Sequence, residues 1–323
     1  MKQLGTWQFI QSNLEKGLGV MLLYVLESKG SSPGRQGFRM AVNSKNEMHG
    51  SIGGGIMEHK FVELAKEQLK DHLSDNLIRK QVHSKSAAVN QSGMICSGEQ
   101  TIFIYRVTNE DEEAIRKIIV CLSTNQNGSL EIFPGHIYFS EKTTADFTFR
   151  YTNDSEWEYT ERLGYKHHLY IVGGGHCALA LSKLMQTMDF YIHVFEERKE
   201  LNTFLQNNAA HEKTIVNDYL ELTDLIPSGE NNYVVLMTFG YRTDAAALRA
   251  VIRKEFRYIG MLGSKAKIEQ LFGELKAEGI PADKIANVHA PIGIDIKSET
   301  PEEIAVSIAA EIVRVKNKNA KEE

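Results

Sequence analysis

Leu169-Tyr170-Ile171-Val172-Gly173-Gly174-Gly175-His176-Cys177-Ala178, midway along a chain of 323 residues, is an apolar run that passes straight into a glycine turn. Gly173, Gly175 and Ala178 fit the spacing G-x-G-x-x-[GA], in which each position has a physical task. The first glycine permits a tight turn, the second lets the backbone approach a ligand, and the small third residue lets helix and strand pack closely. A helix that starts here offers unpaired N–H groups and a positive dipole end to an anion. The pattern predicts a strand–turn–helix unit that seats a phosphate, with Gly173, Gly174, Gly175, His176 and Cys177 as candidate contacts. A tight connection without a ligand uses the same glycines, so context has to separate the two.

Tyr191-Ile192-His193-Val194-Phe195 reads as the next strand, and Glu196 and Glu197 stand at its end. A carboxylate there, roughly 20 residues beyond the turn, is where a dinucleotide fold grips a ribose. Further strands are predicted at Thr214 to Val216, Tyr233 to Thr238, Tyr258 to Met261 and near Val288. Helical patterns at Ala178 to Met188, Asp244 to Arg253 and Lys265 to Ala277 alternate with them. Such alternation implies an α/β fold with a doubly wound, Rossmann-like parallel sheet, whose ligands collect at the carboxyl ends of the strands.

The first half has a different pattern. Thr6 can cap a short helix ending at Gly17, and Val20 to Leu26 and Arg39 to Val42 read as strands joined by a small-residue loop. A second glycine cluster, Gly50-Ser51-Ile52-Gly53-Gly54-Gly55, leads into a helical pattern from about Ile56 to Arg79. Thr101 to Tyr105 reads as a strand, Glu110 to Leu122 as a helix, and Leu130 to Tyr159 as short strands with polar turns. The expectation is an N-terminal α/β domain with a mixed sheet over residues 1–155 and a Rossmann-like domain over residues 166–318, with the boundary near residues 152 to 166.

Composition removes several classes. A formal charge of -5 argues against a nucleic-acid partner gripped through a broad basic face. No apolar run approaches the ~20 residues that span a bilayer, and Met1 to Gln8 lacks the apolar core of a signal peptide. Cys96, Cys121 and Cys177 are odd in number and far apart, which suits reduced thiols and a cytoplasmic setting.

Three successive glycines, Gly53-Gly54-Gly55, imply unusual backbone angles or close approach to something, an anion at the following helix being one option and a packed turn the other. Glu58, just inside that helix, suits its dipole with or without a ligand. Arg35 and Arg39 flank the small-residue loop, and guanidinium forks suit planar anions, though solvated arginines look the same in sequence. Cys96, in Ser92-Gly93-Met94-Ile95-Cys96-Ser97-Gly98, is placed for sulfur transfer or soft-metal ligation. Cys177, in a first helical turn, either has its pKa lowered or simply packs. Gly263-Ser264-Lys265 opens a helix and can bind an anion, with Lys265 as a point charge, or merely cap. Asp244 reads as an N-cap, and Thr300-Pro301-Glu302-Glu303 as a capping box.

In this order along the chain, Gly30-Ser31-Ser32-Pro33 with Arg39-Met40, Gly50 to Gly55 with Glu58, Gly93-Met94 with Cys96 and Gly98, Ile171 to His176, Gly260-Met261-Leu262-Gly263-Ser264-Lys265, and His289-Ala290-Pro291-Ile292-Gly293 through Ala305 carry a resemblance. The chain resembles the XdhC/CoxI family of maturation factors for molybdenum hydroxylases such as xanthine dehydrogenase. That resemblance implies a homodimeric, non-catalytic chaperone that binds a molybdopterin-type cofactor and helps deliver its sulfurated form to a hydroxylase client, with a cysteine desulfurase as a further partner. It also implies that Cys96 contacts sulfur or molybdenum. Three departures stand out: Ile56 and Met57 follow the first glycine cluster where some members carry cysteine, Ser97 replaces a glycine, and Phe239 or Tyr241 stands where many members have histidine. The alternatives are an NAD(P)-dependent oxidoreductase with Glu196 on the ribose, and a nucleotide-binding structural subunit of a hydroxylase complex.

Overall fold

A computed structural model describes residues 2–71, 76–83, 98–144 and 146–318; Cys96 lies outside them. The chain divides into two compact units, residues 1–164 and 165–323.

The first unit opens with helix α1 (Lys2–Leu14), strands β1 (Val20–Gly30), β2 (Arg39–Asn43) and β3 (Met48–Gly50), and helix α2 (Gly55–Lys70). Strands β4 (Leu77–His83) and β5 (Gly98–Val107) and helix α3 (Glu112–Ser123) follow. These strands form one sheet in the order β3-β2-β1-β5-β4, antiparallel at each pairing, in place of the mixed sheet expected. Strand β1 is apolar along both faces because both are covered. Its Met21, Leu23 and Val25 pack against Phe61, Val62, Ala65 and Leu69 of α2, while Val20, Leu22, Tyr24 and Leu26 face Trp7 and Ile10 of α1 and Ile115 and Ile118 of α3. A second antiparallel sheet, β6 (Gly128–Phe133), β7 (His136–Ser140), β8 (Phe147–Asn153) and β9 (Glu156–Leu163) in the order β7-β6-β9-β8, adds Leu130, Ile132, Tyr159 and Leu163 to that core.

Three local expectations change. Thr6 is buried inside α1, with its hydroxyl 3.1 Å from His49 Nδ1, and is not a cap. Helix α2 stops at Lys70, and Leu77–His83 is a strand: Leu77 faces Ile104 and Ile78 faces Phe103 on β5, and cross-strand pairing overrides the helical period read through Arg79. The first domain, expected to end at residue 155, runs on through β9, whose alternation of buried and half-buried residues belongs to the second sheet.

The second unit runs β10 (His167–Val172), α4 (His176–Gln186), β11 (Phe190–Glu196), α5 (Asn202–Leu205), β12 (Glu212–Ile215), α6 (Leu222–Leu225) and β13 (Gly229–Leu236). It continues with α7 (Tyr241–Val251), β14 (Phe256–Met261), α8 (Lys265–Ala277), α9 (Ala282–Ala286), β15 (Val288–His289) and α10 (Pro301–Lys316). Its sheet is parallel throughout, ordered β12-β11-β10-β13-β14-β15. Leu169 and Ile171 face a core with α4 and α10, and Tyr170 and Val172 face one with α7 and α8. This is the doubly wound Rossmann arrangement. The strand order reverses between β10 and β13, so the ligand crevice of such a sheet falls at their carboxyl ends.

Candidate functional site at the carboxyl edge of the parallel sheet

The three glycines after β10 do different work. Gly173 sits at φ +108, and a Cβ there would lie 2.4 Å from the Met237 carbonyl oxygen. That glycine is required by the backbone that follows β13. Gly174 donates its N–H to Glu196 Oε2 at 2.8 Å and accepts from Thr203 Oγ1 at 2.6 Å. Gly175 is the N-cap of α4, extended at φ -71 and ψ -171, with no side chain capping the helix. A Cβ at Gly175 would meet nothing within 4 Å. No side chain caps the first turn of α4 and the Cβ direction at Gly175 is open, an arrangement that suits an anion seat.

His176 is exposed at the first helical position, whereas Cys177 is half-buried. Burial pushes the Cys177 thiol up, with the Glu302 carboxylate acting in the same direction. The raised pKa favours the neutral thiol, so the lowered value expected at a helix start is not found.

Glu196 does not have the role that its position suggests. It is fully buried. Its Oε1 accepts the N–H groups of Glu197 and Arg198 at 3.0 and 3.1 Å and the Arg198 Nε at 2.9 Å. Its Oε2 accepts Gly174 N–H and Arg198 Nη2, both at 2.8 Å. A carboxylate with about four acceptor positions is filled by this set, so no oxygen is left for a ribose diol. Burial alone would raise the Glu196 pKa, but the Arg198 guanidinium and the backbone donors outweigh it and hold the carboxyl below its ordinary value. A depressed folded-state pKa means that the stabilisation is present above the unfolded value, about 4.3, and is lost as pH falls through the folded one. Glu196→Gln is expected to be less stable than the parent at pH 7 and to lose less stability between pH 5 and pH 2. Denaturant unfolding at the two pH values checks this, and equal losses in both proteins would contradict it.

Two ion pairs that sequence reasoning missed frame the same edge. Arg198, locked on Glu196, stacks over the Phe239 ring with its Cζ 4.6 Å from the centroid. Asp244, also fully buried, accepts Thr238 N–H at 3.0 Å and Thr238 Oγ1 at 2.6 Å, and its other oxygen takes the Lys267 ammonium. Asp244 is thus not an N-cap; Gly240 holds that position in α7. Of the Gly263-Ser264-Lys265 candidates, Ser264 caps α8 through the Lys267 N–H, and Lys265 is exposed to solvent. The lysine paired at this edge is Lys267, not Lys265. Its only sequence signal is its place three residues after the cap.

In the first unit the candidates have structural occupations. The Glu58 carboxylate folds back over the Gly53-Gly54-Gly55 turn, accepting Ser51 Oγ at 2.6 Å, Ile52 N–H at 2.9 Å and Gly54 N–H at 3.0 Å. The anion seat predicted at α2 is filled by the chain itself. Gly53 also lies against Gly34, with a Cβ reaching 2.5 Å from its nitrogen, and a Gly98 Cβ would lie 2.8 Å from the Ser32 nitrogen. The motif loops thus meet backbone to backbone. Arg39 is not a loop arginine: it is buried, donates to Glu161 Oε1 at 2.6 Å and to the Gly37 carbonyl at 3.1 Å, and lies over the Tyr24 ring. Tyr24 and Tyr159 both donate to the other oxygen of Glu161. Arg35 is exposed and bonds the Gly30 carbonyl.

A family model described as the XdhC Rossmann domain matches residues 169–312, and one described as the XdhC and CoxI family matches residues 14–79. The chain belongs to the XdhC and CoxI family. The Rossmann match begins in β10 and takes in the whole glycine turn and both buried carboxylates of the sheet edge. An Escherichia coli (strain K12) protein called uncharacterized protein YqeB is 24% identical over 307 residues; the match covers 94% of this chain, which spans only 44% of that relative's length. A Bacillus subtilis (strain 168) protein, named as a probable xanthine dehydrogenase subunit, is 22% identical, with 95% of this chain and 96% of the relative covered. A solved Bacillus halodurans structure, described as a xanthine dehydrogenase, superposes with a TM-score of 0.71 at 20% identity, covering 98% of this chain and 97% of its own, which shows a shared fold. Among the described residues, no helix is long and apolar enough to cross a membrane.

Proposed function

We propose that this chain is an accessory factor of a xanthine dehydrogenase-type molybdenum hydroxylase, and that it seats the phosphate of a molybdopterin-type cofactor on the first turn of α4. The observation that carries the reading is the open N-terminus at Gly175, beside a Glu196 already filled by its own neighbours. An open helix start suits a phosphate monoester. A filled carboxylate removes the ribose grip on which NAD(P) recognition in this fold depends. The name of the Bacillus subtilis relative supports the link to a hydroxylase.

Molybdopterin, when bound, supplies the dithiolene that holds molybdenum and a terminal phosphate. The chain's own part is to orient and retain: N–H groups from the α4 turn hold the phosphate, and the Glu196–Gly174 bond keeps the turn in shape. No acid or base is assigned to the edge, because Glu196 and Asp244 are both buried and paired. Help with sulfuration and insertion, a cysteine desulfurase partner, a homodimer and a sulfur or molybdenum contact at Cys96 extend the same proposal. Cys96 precedes Gly98, which lies tight against the Ser31-Ser32 backbone of the motif loop. Calorimetric titration of the full chain with molybdopterin, NAD and NADP tests the reading, which expects binding of the first alone.

A further inference from the structure

Phe239 is 61% exposed, the most exposed large apolar side chain among the described residues, yet its neighbours on both sides are anchored. Thr238, the residue before it, is pinned through both its N–H and its hydroxyl to Asp244 Oδ1, and Gly240 after it begins α7. The Arg198 guanidinium above the ring is equally fixed, by two bonds to a fully buried Glu196 that is itself bound to Gly174 N–H. An exposed aromatic ring on mobile backbone is ordinary surface. One clamped from both sides by buried carboxylates is preorganised, and preorganisation lowers the cost of binding.

The sheet order says where this pair lies. Arg198 follows β11 and Phe239 follows β13, and β10 runs between those strands. Their contact therefore bridges the carboxyl end of β10, at the glycine turn. The open surface of an arginine–aromatic stack accepts a further flat ring through π-stacking and cation–π attraction. We propose that Arg198 and Phe239 form a stacking ledge for the planar heteroaromatic ring of a phosphate-bearing ligand, beside the phosphate seat at Gly175. This deepens the proposed function and rests on its phosphate seat. It adds two residues that set specificity by ring shape, where the ribose-gripping carboxylate of a dinucleotide site is sealed.

The test titrates the full chain with 6-hydroxymethylpterin monophosphate, AMP and inorganic phosphate. It compares the parent with Phe239→Ala and Phe239→Trp, surface changes that leave both buried ion pairs in place. Loss of one stacked ring weakens binding by about tenfold or more. Phe239→Ala is expected to lose that factor for the pterin phosphate, to keep the parent affinity for inorganic phosphate, and to be rescued by Phe239→Trp. Equal affinity of the parent and Phe239→Ala for the pterin phosphate overturns the ledge and leaves the molybdopterin reading standing. If AMP binds through Phe239 while the pterin phosphate does not bind, the ledge stands and the molybdopterin reading falls. If the parent binds neither ring phosphate more tightly than phosphate alone, the ledge is overturned.

Discussion

Replacing Gly175 by valine is expected to abolish ligand binding and leave the fold intact, whereas replacing Gly173 by alanine is expected to damage the fold itself. Gly175 has an extended backbone that any residue adopts, and its Cβ direction opens on empty space. Valine is a poorer N-cap than glycine and should cost about 1 kcal/mol, too little to unfold a domain. The same side chain fills the volume in front of the α4 N–H groups. Losing two charge-assisted hydrogen bonds at ~1.5–3 kcal/mol each weakens binding by at least about 100-fold. Gly173 is different because its φ of +108 strains any other residue and the Met237 carbonyl stands 2.4 Å from the new carbon. Left-handed strain of ~1–2 kcal/mol, together with the displacement of the backbone after β13, is expected to cost about 3 kcal/mol or more. Thermal unfolding and calorimetry on the two variants separate the effects. A Gly175→Val protein that keeps its affinity would refute the phosphate seat.

The second large effect is expected in the core of the first unit. Arg39→Ala leaves Glu161 buried with only the Tyr24 and Tyr159 hydroxyls against its charge. Breaking a buried pair from one side costs about 3–5 kcal/mol, enough to unfold many domains. Equilibrium unfolding of Arg39→Ala and of the Arg39→Met, Glu161→Leu double variant checks this. The double variant should recover most of the stability, since it leaves no uncompensated charge. If Arg39→Ala is as stable as the parent, the guanidinium is not a strut of this core.

The contrast between the two arginines, Arg39 and Arg198, shows what the sequence makes legible. The strand–helix alternation of the second unit follows from period and composition, and α8 falls on Lys265–Ala277 as expected. Glycine spacing locates the turn after β10, but it does not distinguish Gly173, fixed by the neighbouring strand, from Gly175, which faces open space. That difference arises from β13, about 60 residues further along the chain. Glu58 and Glu196 look alike in sequence, as carboxylates beside glycine turns. Both prove to fill their own turns: Glu58 closes the seat at α2, and Glu196 braces the turn at α4 while leaving its helix start open. Arg39 reads as an arginine flanking a loop, open to an anion or to solvent, until β9 brings Glu161 to it across 122 positions. The Arg198–Phe239 pair is likewise invisible before the sheet order is known, because its partners follow different strands.

Whether the edge of the parallel sheet takes a molybdopterin phosphate and not a dinucleotide is tested most directly by calorimetric titration of the full chain with molybdopterin and with NAD. Saturable binding of molybdopterin that disappears in Gly175→Val, with no heat from NAD, is the predicted result. Saturable NAD binding that Gly175→Val abolishes, with no binding of molybdopterin, would contradict it.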